Sequence, residues 1–365
     1  AFINTNARIT WSINNDLKLS AFGSYTYNVK ENKKYIPSSI KAGLSNRGEA
    51  YRGDNKSQSM LANLMLTYKK SFGKHYINAL GLAEVQRVTN TGFGSTVHGF
   101  STDDFLYNNL QAGAVLKWGN NTSYYNNPSL ASFMGRVNYS YADKYIVTVN
   151  ARTDGSSKVG ANNKWAFFPS ASLAWVLSEE EFMKDIDWLN NLKLRVSFGQ
   201  SGNDNVGAYQ TQGSISGAQY YSFGTNDVIG YVPNNLRNME LGWERTTEYN
   251  IGVDFGFLNN RITGSVEYYI ANTSDLLLNR SIPLMTGYTQ ILTNVGKTQN
   301  KGLEITLSTT NIQTEDFTWK TDFTFSTNRS KIVELADGKV DDPTNGWFIG
   351  KPMDEIWTYK YDRLW

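Results

Sequence analysis

The feature that most constrains this chain is a strict alternation of short and long connections between strand-like segments. About twelve stretches read as β-strands. The short links cover 14–16, 72–74, 142–143, 178–191, 258–260 and 310–316; the long ones cover 29–57, 89–130, 154–169, 201–244 and 273–301. A soluble sandwich has no reason to gather its long loops at one end. A transmembrane antiparallel β-barrel does, with short periplasmic turns and long extracellular loops.

The strands carry a matching two-faced pattern. In 249–257, Tyr249, Ile251, Val253, Phe255 and Phe257 alternate with Asn250, Gly252, Asp254 and Gly256. After the turn, Val266, Tyr268 and Ile270 alternate with Ser265 and Glu267. Successive strand residues point to opposite faces, so one face meets an apolar phase and the other meets water. The same alternation runs through 145–152, 192–198 and 317–326. Strands of roughly 9–13 residues suffice to cross a bilayer at a tilt of about 45°.

Composition fits this reading. Aromatic residues make up 14% of the 365, with 22 Tyr, 18 Phe and 10 Trp, as girdles at two membrane interfaces require. No stretch approaches the ~20 apolar residues of a membrane helix. The net charge of +2 comes without a basic block, which argues against nucleic acid. Zero Cys excludes disulfides and thiolate metal sites. With only His75 and His98, no histidine zinc cluster or Ser/His/Asp set is credible. The loop aspartates Asp337, Asp341 and Asp342 lack calcium-loop spacing, and no catalytic residue, cofactor or metal is expected. Gly296-Lys297-Thr298 resembles the tail of a phosphate-binding loop, but Ile291 stands where its first glycine should be.

Five strings carry more than a face pattern: NARTDGSSKV at 150–159, WAFFPSASLAW at 165–175, NLKLRVSFGQSGN at 191–203, YNIGVDF at 249–255 and GYTQILTNVGKTQNKGLE at 287–304. Together they resemble the barrel of SusC/RagA-type TonB-dependent outer-membrane transporters. The resemblance implies a barrel of about 22 strands around a plug. It implies active import of oligosaccharides or peptides, a SusD-like surface lipoprotein over the loops, and the TonB complex as energy source. On this reading residues 1–365 are a partial barrel domain, with the plug and signal sequence outside the chain.

Local chemistry gives further expectations. Asp154-Gly155-Ser156-Ser157 reads as a hairpin turn at a strand end. Ser178 reads as the N-cap of a short helix, with Glu181 completing a capping box. Aromatic rings among amides and hydroxyls in the long loops suit glycan or peptide contact, and Trp118, Tyr124, Tyr125, Trp165, Tyr220 and Tyr221 are the candidates for touching substrate or partner. A passive porin or adhesin barrel would share the alternation, and a soluble glycan-binding protein would share the aromatic loops. Only a membrane barrel turns its apolar strand faces outward.

The alternation generates a sidedness test. Protease added to intact cells should cut within 89–130 and 201–244 and spare the region of Asp185. Cleavage near Asp185 with both long loops protected would invert the topology.

Overall fold

The computed structural model describes residues 1–116, 120–224, 226–336 and 338–358. Its strands are β1 (Phe2–Ser12), β2 (Leu17–Ile36), β3 (Glu49–Phe72), β4 (His75–His98), β5 (Asn121–Asn126), β6 (Ser129–Tyr141), β7 (Tyr145–Ser156), β8 (Trp165–Val176) and β9 (Leu189–Asn203). They continue with β10 (Ser214–Phe223), β11 (Asn226–Asn235), β12 (Glu244–Phe257), β13 (Ile262–Ser274), β14 (Leu277–Ser281), β15 (Gln290–Asn294), β16 (Lys297–Gln313) and β17 (Thr318–Glu334). Among the described residues one antiparallel sheet runs β1-β2-β3-β4-β6-β7-β8-β9-β12-β13-β16-β17, with β5 added to β4. The sheet does not close: β1 pairs with β2 and β17 with β16, each on one side. β10–β11 and β14–β15 form separate two-stranded sheets.

Register keeps each face chemically uniform across strands. Val147, Leu173, Val196, Ile251, Tyr268 and Leu303 stand side by side from β7 to β16. The next row on the other face is Asn138, Thr148, Ser172, Ser197, Asn250 and Tyr269. A one-residue slip would exchange the two sets, so this pattern fixes the register. The apolar row is uncovered: Leu173 is 54% exposed and Ile251 56%. A patch of that extent is untenable in water and is the surface a bilayer requires.

Two belts of rings bound the apolar band. At the turn end, Tyr141 stacks on Tyr145 and Tyr145 on Trp175, both with centroids 6.4 Å apart. His75 joins them, stacked on Phe72 at 5.1 Å and bonded through Nδ1 to the Tyr139 hydroxyl at 2.7 Å. At the other end Trp165 stacks on Phe133 at 6.1 Å. Tight turns join the strands at the first belt; in one, Ala142 and Asp143 have φ of 53° and 57°, the left-handed pair of a type I′ turn.

Several local expectations change. The strands outrun the membrane: β3 and β4 have 24 residues each. Past the apolar band apolar residues no longer alternate regularly, so the period-2 signal disappears while backbone pairing continues. Val29 to Ile36 thus pairs with Lys56 to Glu49, and the 29–57 loop shrinks to 37–48. The four residues Asp154 to Ser157 are not a hairpin turn, because β7 continues through Ser156. The capping box does not form. Two 3₁₀ turns, Leu177–Glu179 and Glu181–Met183, occupy that segment without side-chain caps, and Glu181 accepts from Lys184 Nζ at 2.7 Å instead of reaching back to Ser178. Glu180 accepts from Tyr145 Oη at 2.5 Å, Trp175 Nε1 at 3.1 Å and Lys144 Nζ at 3.3 Å. The Tyr145 hydroxyl, then the Trp175 and Lys144 donors, hold its carboxyl below the usual range.

Val253 lies in the outward row between Leu194 and Val266. Val253→Arg should lower unfolding stability by about 2–4 kcal/mol if near the midplane, as lipid-facing cations do. Ser265→Arg, on the opposite face, should shift it by less than about 1 kcal/mol. Equal effects in a denaturant titration of the parent receptor would contradict the face assignment.

Candidate functional site at the loop end

The inward face continues past the membrane on β2 to β5. There Gly53 pairs with Gly94, Asn55 with Gly92, and Gly92 with Tyr124. The glycines make room for rings. A Cβ on Gly92 would come within 2.2 Å of the Tyr124 ring, and one on Gly94 within 2.7 Å of the Tyr51 hydroxyl. The Tyr124 hydroxyl donates to Asn55 Oδ1 at 3.2 Å, and Asn90 Nδ2 donates to Asn126 Oδ1 at 2.9 Å. Lys30 and Asn32 pair with Asn55 and Gly53 and continue the same face. Two flat rings, several amides and a lysine thus share a surface on the lumen side of the sheet. It can stack on a planar or sugar-like group and bond to its polar edges.

A folded knob supports this surface. Ala50, Val97 and Phe100 are buried together, with Tyr35, Leu110 and Ala112 packed against them. Asp103 ties the 37–48 loop to the 99–116 segment. It accepts from Tyr35 Oη at 2.6 Å, Ser38 N at 3.0 Å and Ser38 Oγ at 3.1 Å. These donors favour the ionised carboxyl and hold Asp103 below its ordinary pKa, the Tyr35 hydroxyl most of all.

A second knob closes over β7 to β9. Val159, Ala166, Phe168 and Trp243 form its core, with Leu130 against it. Trp243 Nε1 donates to the Lys164 carbonyl at 3.1 Å, and Gly160 N to the Leu241 carbonyl at 2.6 Å. Asn294 reaches across from β15, accepting from Gly242 N at 2.6 Å. Below lies a cleft of about 470 Å³ lined by Arg152, Asp154, Phe168, Asp204 and Trp243. Its charges are compensated: Arg152 Nε donates to both Asp154 oxygens at 2.9 and 2.8 Å, and Lys158 Nζ lies 2.9 Å from Asp204. Deeper on the inward face Arg195 holds Asp254 at 2.9 and 2.7 Å and Glu267 at 2.8 Å. Among the described residues no group of His, Asp and Glu could hold a metal. Asp341 and Asp342 accept backbone and amide donors of their own loop.

The sequence candidates do not form one site. Tyr124 and Tyr125 are neighbours and therefore oppose each other; Tyr125 stands beside Thr91, on the outward face. Trp165 also faces outward, in the belt with Phe133. Tyr221 lies on the separate β10–β11 hairpin, its ring close over Gly230. Tyr220 is placed by its backbone alone, opposite Ile229. Trp118 lies outside the described residues. Sequence reading missed Tyr51 and its glycines; the cue was the alternation Tyr51, Gly53, Asn55 inside a presumed loop.

A model of the family described as TonB dependent receptor-like, beta-barrel matches residues 2–364. TonB-dependent receptor P3 of Formosa agariphila is 40% identical over 305 residues, 84% of this chain and 30% of that protein. TonB-dependent receptor SusC of Bacteroides thetaiotaomicron is 35% identical over 285 residues, 77% of this chain and 28% of that protein. The RagAB peptide transporter structure superposes with a TM-score of 0.85 at 25% identity, covering 96% of this chain and 39% of that one. The chain thus spans about a third of the length of the relatives it matches.

Asp103 generates a pH prediction. A carboxyl whose folded pKa lies below its unfolded value stabilises the fold above the unfolded pKa, and that contribution fades as pH falls through the folded one. Amide protection in 37–48 should hold at pH 7 and fall as pH drops below about 4. Asp103→Asn should reduce protection already at pH 7 and flatten the acid step. Wild-type protection in that variant would show that Asp103 does not fasten the knob.

Proposed function

This chain belongs to the TonB-dependent receptor-like β-barrel family, and on that premise we propose that it is part of the barrel of a SusC/RagA-type outer-membrane importer. The barrel itself is an outer-membrane structure. The imported nutrient is an oligosaccharide or peptide too large for a passive pore. A SusD-like lipoprotein covers the loop end, and the TonB complex supplies energy through a plug contributed by the rest of the parent polypeptide. No step of this function makes or breaks a covalent bond of the cargo, so the protein is not an enzyme.

One observation carries the reading. The ring-and-amide surface of Tyr51, Asn55 and Tyr124 shares a face with the Arg195–Asp254–Glu267 network further along the sheet. A ligand resting on the first is already on the side of the sheet that becomes the lumen. The likeness to the RagAB peptide transporter favours a peptide. The kinship with SusC supports the same class of importer without choosing the cargo. A passive porin would need no such folded loop surface.

The test is growth of a strain carrying the parent receptor on single oligosaccharide or peptide mixtures, followed by calorimetry with whichever mixture depends on the receptor. Tyr51→Ala and Tyr124→Ala should each weaken binding by about 1 kcal/mol, roughly fivefold in Kd. Receptor-dependent growth with unchanged affinity in both variants would move the cargo site away from this surface. Growth independent of the receptor on every mixture would reject import of either cargo.

A further inference from the structure

On the outward face, at the loop-end belt, β3, β4, β6, β7 and β8 line a groove of about 570 Å³. Its walls include Met60, Val85, Ala131 and Trp165, and its upper rim carries Arg87 and Lys164. Register fixes the side. Val85 pairs with Ala62 and Ala131, and Arg87 with Met60 and Ser129, all in the outward set with Leu64 and Phe133. The Trp165 ring is built in rather than loose. It stacks on Phe133 and lies so close over Gly155 that a Cβ there would approach within 2.7 Å.

Depth and charge say what fits. Phe133 and Trp165 mark the apolar–polar boundary. Arg87 lies four residues further along β4 than Ala83, the partner of Phe133. That is about 13 Å of strand, or ~9 Å of depth at a 45° tilt, which reaches the headgroup layer. Both Arg87 and Lys164 are exposed, and neither side chain has an ion-pair partner among the described residues. Two cations above an apolar groove with a fixed indole wall complement a molecule with a phosphate on an acyl body. A cargo molecule would approach the other face, and a soluble anion would have no use for the groove.

We propose that this groove holds a phosphorylated acyl lipid of the outer leaflet, with Arg87 and Lys164 on the phosphate and Trp165 against the first acyl carbons. The site is independent of the cargo surface. The full-length receptor, purified in detergent, would be incubated with phosphorylated or enzymatically dephosphorylated lipid A, washed by detergent exchange and read by native mass spectrometry. The wild-type receptor should retain the phosphorylated lipid at least tenfold better than the dephosphorylated one. Arg87→Gln with Lys164→Gln should abolish that preference while keeping the heat-modifiable mobility of a folded barrel and the growth phenotype. Equal retention of the two lipids by the wild type, retention of neither, or an undiminished preference in the folded double variant would overturn the proposal. The wild-type comparison stands alone if the double variant fails to fold.

Discussion

Cross-strand pairing of backbone N–H and C=O groups is the interaction on which the rest of this structure depends. In hydrocarbon an unpaired peptide group costs several kcal/mol, so a chain that crosses with strands must carry an unbroken ladder. The continuous path from β1 to β17 is that ladder. Once it exists, the side chains have two destinations, and the uniform apolar and polar rows follow from the period of two. The same ladder explains why β3 and β4 do not stop at the membrane surface. Pairing a polar extension satisfies its backbone as well as water does, and it gives the loop end a rigid floor.

On that floor the loops are folded. Each knob has a small apolar core and a polar clasp: Asp103 in one, and Trp243 with Asn294 in the other. Neither core is large, so the clasps matter more than they would in a globular domain. Hydrogen bonds to an ionised carboxylate are among the stronger ones available at such a site. The result is a loop end that presents a defined surface rather than a brush of flexible strings.

The strings that carried the family resemblance have structural jobs on the inward face and in the knobs. In NARTDGSSKV, Arg152 and Asp154 pair with each other, and Ser156 Oγ donates to Asp204 at 2.6 Å. In NLKLRVSFGQSGN and YNIGVDF, Arg195 meets Asp254. Gly252 keeps the space beside that guanidinium, where a Cβ would sit 3.2 Å from Nη2. In GYTQILTNVGKTQNKGLE, the Tyr269 ring occupies the room that Gly302 leaves, and Asn294 clasps Gly242. Charged groups in a narrow, half-wet interior must be matched, and matched groups need their neighbours at fixed registers.

The sequence by itself determined the roughly twelve strands of the main sheet path, though not β5 or the two loop hairpins, together with the alternation of connection lengths and the face of residues such as Val253 and Asp254, because a side-chain period of two is written residue by residue. It also marked Tyr124 as an aromatic worth attention. It did not determine where strands end beyond the membrane, since 29–36 and 49–56 carry no continuous period-2 apolar face and only their pairing with each other makes them strand. Nor did it separate Tyr124 from Tyr125 or assign Trp165 to the outward belt, because a ring looks the same on either face until register is known. Tertiary structure decided those points. The cross-strand partner, absent from any local reading, sets which way each side chain points and which residues share a surface.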